Sequence, residues 1–320
     1  MGQPAQCAVL TGTQLRRLGS VQAQNLFLAR MPILDTEVLR LEYQQNGPAD
    51  APVALLLHGF PDDYHTWDVV SEQLVAAGYQ TLAPSMRGCA GSVFRNADTL
   101  RSGQVTALAQ DAIDLLDALG VSTATVVGHD WGARAGYVLA ALWPERVEKL
   151  VVASVGYEIG SKPGNELKPE QVHAYWYQWF FHSERGHEML KYNRREFCRY
   201  IWHLWAPSWQ FGEAEFAQAA ASWDNPDWVA VVLHSYCFRW GAAPPDPRYA
   251  ALEARLVPQP LISVPTTVLH GEQDGAALVA SSEGKEKFFT GPYQRRVLPG
   301  VGHYVPREAP EAIVAAIIAD

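Results

Sequence analysis

The strongest constraint on the fold is the stretch Thr125-Val126-Val127-Gly128-His129-Asp130-Trp131-Gly132-Ala133-Arg134-Ala135-Gly136. A β-branched apolar run stops at Gly-His-Asp-Trp-Gly, and helical spacing begins at once through Ala133, Tyr137, Ala140 and Ala141. Strand, sharp turn and helix in immediate succession is the setting of a nucleophile elbow, whose tip residue is pushed out at the carboxyl end of a sheet. Gly128 and Gly132 flank the turn, where a Cβ would collide with the neighbouring strand and helix. The commonest tip residue is Ser; here it is Asp130. A carboxylate needs no base to be ionised near neutrality, its unperturbed pKa being about 3.9. It attacks an electrophilic saturated carbon directly and forms an ester. Hydrolysis of that ester then requires a water, a general base and donors for an oxyanion. A second reading of the same turn is that Asp130 merely caps the helix.

The rest of the chain supplies a sheet for the elbow. Val38 to Tyr43 alternates apolar and polar, as a half-buried strand does. Pro52 to Leu57 is a continuous apolar run, the mark of a strand covered on both faces. Helical spacing follows through Trp67, Val70, Leu74 and Val75, then a short strand at Gln80–Ala83 and a glycine-rich loop from Ser85 to Ser92. A helix is predicted from about Gly103 to Leu119 and a strand from Leu150 to Val155. Alternating strands and helices mean a mostly parallel sheet with helices on both faces. From about 156 to 258 that alternation disappears and aromatics crowd into helical stretches. It resumes with a strand at Thr266–Gly271, a helix near Ala280 to Phe288, a strand at Arg295–Leu298 and a helix from Pro310 to Ile318. The expected organisation is a core from 1–155 and 259–320, with a helical cap at 156–258 inserted over the carboxyl ends of the strands, where such sheets bind ligands. The large side chains of the cap have a plain reading as the packing of a thin helical layer. Residues 1 to about 30 carry no clear period and are expected to form a loose or partly helical arm.

Composition narrows the function classes. A formal charge of −9 argues against nucleic acid or an anionic membrane as partner. The first residues lack the pattern of a signal peptide, and Gln6 breaks a myristoylation motif, so a cytoplasmic location is expected. Cys7, Cys89, Cys198 and Cys237 show no C-x-x-C spacing and are read as free thiols, with structural disulfides as the alternative.

Asp130 requires partners, and each has a candidate at the carboxyl edge of the sheet. His303 lies in Pro299-Gly300-Val301-Gly302-His303, directly after the last strand, and is the expected base. Asp274 follows the strand ending near His270 and is the expected orienter of His303, with Glu272 close by. The order nucleophile, acid, histidine is the one that accompanies an elbow. The oxyanion donors are expected to be the backbone N–H of Trp131 and that of Phe60 in His58-Gly59-Phe60-Pro61. His129 is expected to point away from the pocket.

Taken together, these motifs resemble the α/β-hydrolases of the epoxide hydrolase and dehalogenase branch, over nearly all of residues 35 to 320. The resemblance implies the α/β-hydrolase fold and a covalent mechanism without metal or organic cofactor. One departure is Ser85 where such chains usually carry Asp before Met/Leu-Arg-Gly, with Cys89-Ala90 where Tyr-Gly is common. Epoxide hydrolases place two cap tyrosines on the epoxide oxygen. Tyr177, in the pair Tyr177-Gln178, matches the first and Tyr236 the second. His58, Pro61, Gln178 and Trp131 are expected to line the substrate. Haloalkane dehalogenases hold halide with the Trp after the nucleophile and, in many, an Asn at the position of Phe60, which is missing here. Haloacetate dehalogenases clamp a carboxylate with two arginines, of which Arg134 matches one while Trp131 occupies the other. The expected substrate is a small apolar epoxide, with dehalogenation and non-catalytic binding of a small molecule as alternatives. Oligomeric state is not readable, a homodimer being among the options.

Overall fold

The computed structural model describes residues 31–158 and 168–319, so the expected N-terminal arm, with Cys7, lies outside the described residues. The unit Ile33–Asp320 separates from Met1–Pro32, and the architecture below is that of the larger unit.

Its strands are β1 Ile33–Asp35, β2 Leu39–Asn46, β3 Val53–Leu57, β4 Gln80–Pro84, β5 Val93–Phe94, β6 Ala124–His129, β7 Val147–Ala153, β8 Thr266–Gly271 and β9 Tyr293–Leu298. They join one sheet in the order β1-β2-β4-β3-β6-β7-β8-β9, with β5 paired to β2. From β4 to β9 every pairing is parallel, while β1, β2 and β5 pair antiparallel. The central strands are buried over most of their length because Val, Leu and Ala occupy both faces, the main exception being the start of β7 at Glu148 and Lys149.

The core helices in the first half are α1 Asp68–Ala76, α2 Val105–Ala118 and α3 Trp131–Leu142. The chain runs from β3 through α1 to β4 in one direction, and from β6 through α3 to β7 in the other. Right-handed crossovers in opposite directions put α1 and α3 on opposite faces. The reversal falls between β3 and β6, the crevice in which open sheets of this kind hold ligands.

Between β7 and β8 lie α4 Pro169–Ala174, α5 Trp176–Phe180, α6 Glu184–Tyr192, α7 Arg194–Trp205, α8 Glu213–Ala221, α9 Trp228–Arg239 and α10 Ala250–Arg255. Trp202, Trp205, Trp223, Phe181 and Tyr236 are almost wholly buried within this insertion and beneath it. Most of the aromatics therefore do the packing expected of a thin helical layer. The chain closes with α11 Val305–Glu308 and α12 Pro310–Ile318.

One expectation is corrected. Residues 280–288 do not form a helix; they form two short 3₁₀ turns, Val279–Ser282 and Glu286–Phe288. Gly284, at φ +64, lies between them in the left-handed region and interrupts any helical run. The departure at Ser85 also has a structural answer. Ser85 Oγ donates to Glu42 (3.2 Å), and Ser92 Oγ donates to the Ser85 carbonyl (2.6 Å). The neighbouring Arg87 is buried with both carboxylate oxygens of Asp111 at 2.7 Å, so the loop is braced without the usual Asp. Cys89, Cys198 and Cys237 are free thiols.

Candidate active site

Two loops leave adjacent strands side by side. Leu57 at the end of β3 lies in register with Gly128 in β6. The His58-Gly59-Phe60 turn therefore meets the His129-Asp130-Trp131 turn. Asp130 sits at φ 52 and ψ −111, a left-handed backbone conformation rare outside glycine. A Cβ on Gly132 would collide with the carbonyl oxygens of Leu57 and His58, so only glycine lets α3 start this close to β3. A Cβ on Gly59 would fall 2.5 Å from Asp130 Oδ1. Asp130 makes no side-chain cap bond to α3, which disposes of the capping reading. Its Oδ1 instead accepts the Phe60 N–H at 2.9 Å.

The other oxygen, Oδ2, lies 3.7 Å from His303 Nε2. His303 Nδ1 is 2.8 Å from Asp274 Oδ2. Asp274 Oδ1 accepts the N–H groups of Ala276 and Ala277, which fixes the carboxylate plane. Glu272, the other acid of that loop, is exposed and accepts the Gly300 N–H instead. The Trp205 carbonyl, at the end of α7, accepts the N–H of His303 (3.0 Å) and that of Gly275 (3.1 Å). One carbonyl of the insertion thus ties the acid loop to the histidine loop. The His303 carbonyl is held by Ser154 Oγ (2.6 Å) and His129 Nε2 (2.8 Å).

The insertion brings Tyr177 and Tyr236 together, with ring centroids 5.3 Å apart and nearly perpendicular. Both rings contact Phe60, at 6.3 and 5.5 Å. Gln178 Nε2 donates to the Tyr177 oxygen (2.8 Å), and Trp131 Nε1 donates to the Tyr236 oxygen (3.1 Å). Each phenol oxygen thus receives an N–H, and the two hydroxyls are within hydrogen-bond reach of each other. Gln178 Oε1 is in turn held by Trp240 Nε1 (2.8 Å).

Electrostatics divides the buried histidines. Burial pushes His58 and His129 down to about 4, so both are neutral. Burial also disfavours charge on His303, but Asp274 and Asp130 outweigh it and hold its pKa up to about 10. Burial would raise Asp274, yet His303 and His270 bring it down to about 2. Asp130 is lowered despite its burial, chiefly by His303. The folded pKa of His303 exceeds its unfolded value of about 6.5. The group therefore adds stability that is fully present below about pH 6.5 and is lost as pH rises toward 10. His58 and His129 act oppositely: stability is lost as pH falls from about 6.5 toward 4, because only the unfolded chain takes the proton. Urea midpoints should peak near neutrality, and His303→Gln should flatten the alkaline limb and also soften the acid one, because His303 helps to lower His129, Asp130 and Asp274. An alkaline limb of unchanged slope in that variant would contradict the assignment.

Not every residue expected at the substrate is brought there. His58 is buried on the far side of its turn, where its Nε2 accepts the Met86 N–H (3.0 Å). The Pro61 carbonyl accepts Trp223 Nε1 (3.1 Å) and joins the core to the insertion. Trp205, Ser154 and the chelate of Asp62 by Arg307, at 2.6 and 2.7 Å, carried no signal in the sequence. Their roles depend on contacts between residues at least 70 positions apart, and local pattern does not encode such contacts. Among the described residues no cluster of three metal-ligating side chains occurs, and no helix is long and apolar enough to cross a membrane.

Comparison with known proteins gives a consistent picture. A family model described as the alpha/beta hydrolase fold matches residues 52–310. The chain is similar to a candidate epoxide hydrolase of known structure from Klebsiella pneumoniae, at 39% identity and a TM-score of 0.86, covering 90% of this chain and 96% of the other. It is 27% identical to epoxide hydrolase A of Mycobacterium tuberculosis, over 89% of this chain and 95% of that protein. It is also 25% identical to epoxide hydrolase 3 of Xenopus tropicalis, over 86% and 72% of the two chains.

Proposed function

The chain belongs to the α/β-hydrolase family and is epoxide hydrolase-like within it; from that premise we propose that it opens epoxides to vicinal diols through an ester on Asp130. The observation that carries this is the division of labour at the Asp130 carboxylate. Oδ1 is held by the Phe60 N–H, where an oxyanion would develop, while Oδ2 is left to attack. Oδ2 forms a bond to a ring carbon and the carbon–oxygen bond of the epoxide breaks. The ring oxygen leaves as an alkoxide held by the hydroxyls of Tyr177 and Tyr236 and takes up a proton. Esterification removes the charge of Asp130, and with it one of the two influences that keep His303 protonated. His303 then reverts toward an ordinary imidazole, its released proton replacing the one the alkoxide took up through the two hydroxyls, and takes a proton from water. The hydroxide adds to the ester carbonyl, Phe60 and Trp131 N–H groups hold the oxyanion, and the diol leaves. This scheme calls on no cofactor.

Halide displacement is disfavoured by the same geometry. The Trp131 indole N–H that would bind halide is already given to Tyr236.

The test is a single turnover in water enriched in heavy oxygen. The first diol should be unlabelled, because its new oxygen comes from Asp130; label in the first-turnover diol rules out the ester route. The phenols have their own test. Loss of one preorganised donor costs roughly 10²–10³ in rate. Tyr177→Phe and Tyr236→Phe should each lower kcat/KM for a neutral aryl epoxide by about that much, and the double variant by more. A double variant within tenfold of wild type would remove the phenols from the mechanism.

A further inference from the structure

A cavity of about 140 Å³ adjoins the Asp130 cluster and shares Trp131 and Tyr236 as walls. Its lining also holds two guanidinium groups, Arg134 and Arg239. Arg134 lies four residues beyond Asp130 in the first turn of α3, where its N–H donates to the Asp130 carbonyl (3.1 Å). Arg239 lies three residues beyond Tyr236 on α9. Residues three and four apart share a helix face, with Cβ atoms about 5–6 Å apart. Arg239 therefore shares a helix face with Tyr236, and Arg134 lies in the first turn of the helix that Asp130 heads.

The reaction proposed above has no use for two cations at that place. Among the described residues neither guanidinium has a carboxylate at ion-pair distance; Arg239 lies over the rings of Tyr175 and Trp240, at 5.1 and 5.4 Å. The acids lining the cavity have other partners, although Asp130 and Glu158 partly offset the depression of Arg134. Glu253 accepts from Gln104 (2.9 Å) and Thr106 (2.6 Å), and Glu158 faces Lys285 at 3.8 Å. Burial, and then the like charge of Arg239, depress Arg134. Two neighbouring cations with no acid at ion-pair distance among the described residues are stabilised by an anion that joins them. Planar guanidinium groups match a carboxylate with paired N–H donors. The nearby charges of Glu158 and Glu253 favour a monoanion over a dianion such as phosphate.

We propose that Arg134 and Arg239 form a carboxylate subsite, so that the substrate class is a short epoxide carrying a carboxylate within a few bonds of the ring. The inference rests on the epoxide-opening reading for its chemistry, but the anion site is measurable without chemistry. Calorimetric titration with hexanoate and hexanamide at low ionic strength should show the acid binding at least tenfold more tightly. In parallel, kcat/KM for 3,4-epoxybutanoate should exceed that for its methyl ester by at least tenfold. Arg239→Gln should shrink both ratios about tenfold, with Arg134→Gln as the second variant should the first fail to fold and Arg239→Lys restoring part of the preference. Discrimination between hexanoate and hexanamide that depends on the arginines, without opening of any epoxide, leaves the subsite standing and removes the epoxide reading. An opened ester with no preference for acid in either assay overturns the subsite and leaves the epoxide reading in place. Equal ratios in wild type and Arg239→Gln overturn it as well.

Discussion

Asp130→Ala should lose epoxide turnover by at least about 10⁴-fold, since removing a covalent nucleophile leaves only binding and oxyanion stabilisation. Among the described residues the neighbouring carboxylates are committed elsewhere. Asp274 is committed to His303 at 2.8 Å and to two backbone N–H groups. Asp62 is chelated by Arg307, and Asp63 accepts from Ser222 at 2.5 Å. A shape-preserving control is available in Asp130→Asn, whose amide oxygen can still accept the Phe60 N–H. It should be as inactive as Ala when freshly prepared, with a near-wild-type circular dichroism spectrum. Activity above about 1% of wild type in either variant, measured as diol formed, would mean that water attacks the epoxide directly and that Asp130 acts as a base.

His303→Gln should separate the two half-reactions. General-base catalysis contributes about 10²–10⁴-fold, so steady-state turnover should fall by roughly 10³. The ester nevertheless still forms, because Oδ2 needs no base to attack. Intact-protein mass spectrometry should show a gain equal to the substrate mass, approaching one per chain within minutes. Loss of the histidine also removes the main influence that lowers Asp130. Ester formation in the variant should therefore decline at a higher pH than in wild type as the medium is acidified. Normal turnover, or inactivity with no added mass, would exclude His303 as the base for ester hydrolysis.

Much of this site was legible because its parts are local. Gly128, Asp130 and Gly132 announce the elbow through adjacency alone, and strand ends locate Phe60, Asp274 and His303 at one edge of a parallel sheet. The choice of Asp274 over Glu272 rested on loop position, and the structure places Asp274 against His303 and Glu272 at the surface. The stretch 280–288 was misjudged because apolar spacing does not register a glycine in the left-handed region. His58 was misjudged because motif membership does not say which way a ring turns; its Nε2 accepts from Met86, 28 positions away.

The sequence by itself determined the fold class and the place of Asp130 at the tip of the elbow, because an elbow and the strand ends around it are written in consecutive residues. Tertiary structure alone decided how the parts are used. It set Oδ1 on the Phe60 N–H and Oδ2 toward His303, bound the two loops to the Trp205 carbonyl, and placed Arg239 with Arg134 at one cavity. The physical reason is that hydrogen-bond direction, burial and the Coulomb field of distant charges are properties of packing, which brings together groups separated by up to 245 positions along the chain.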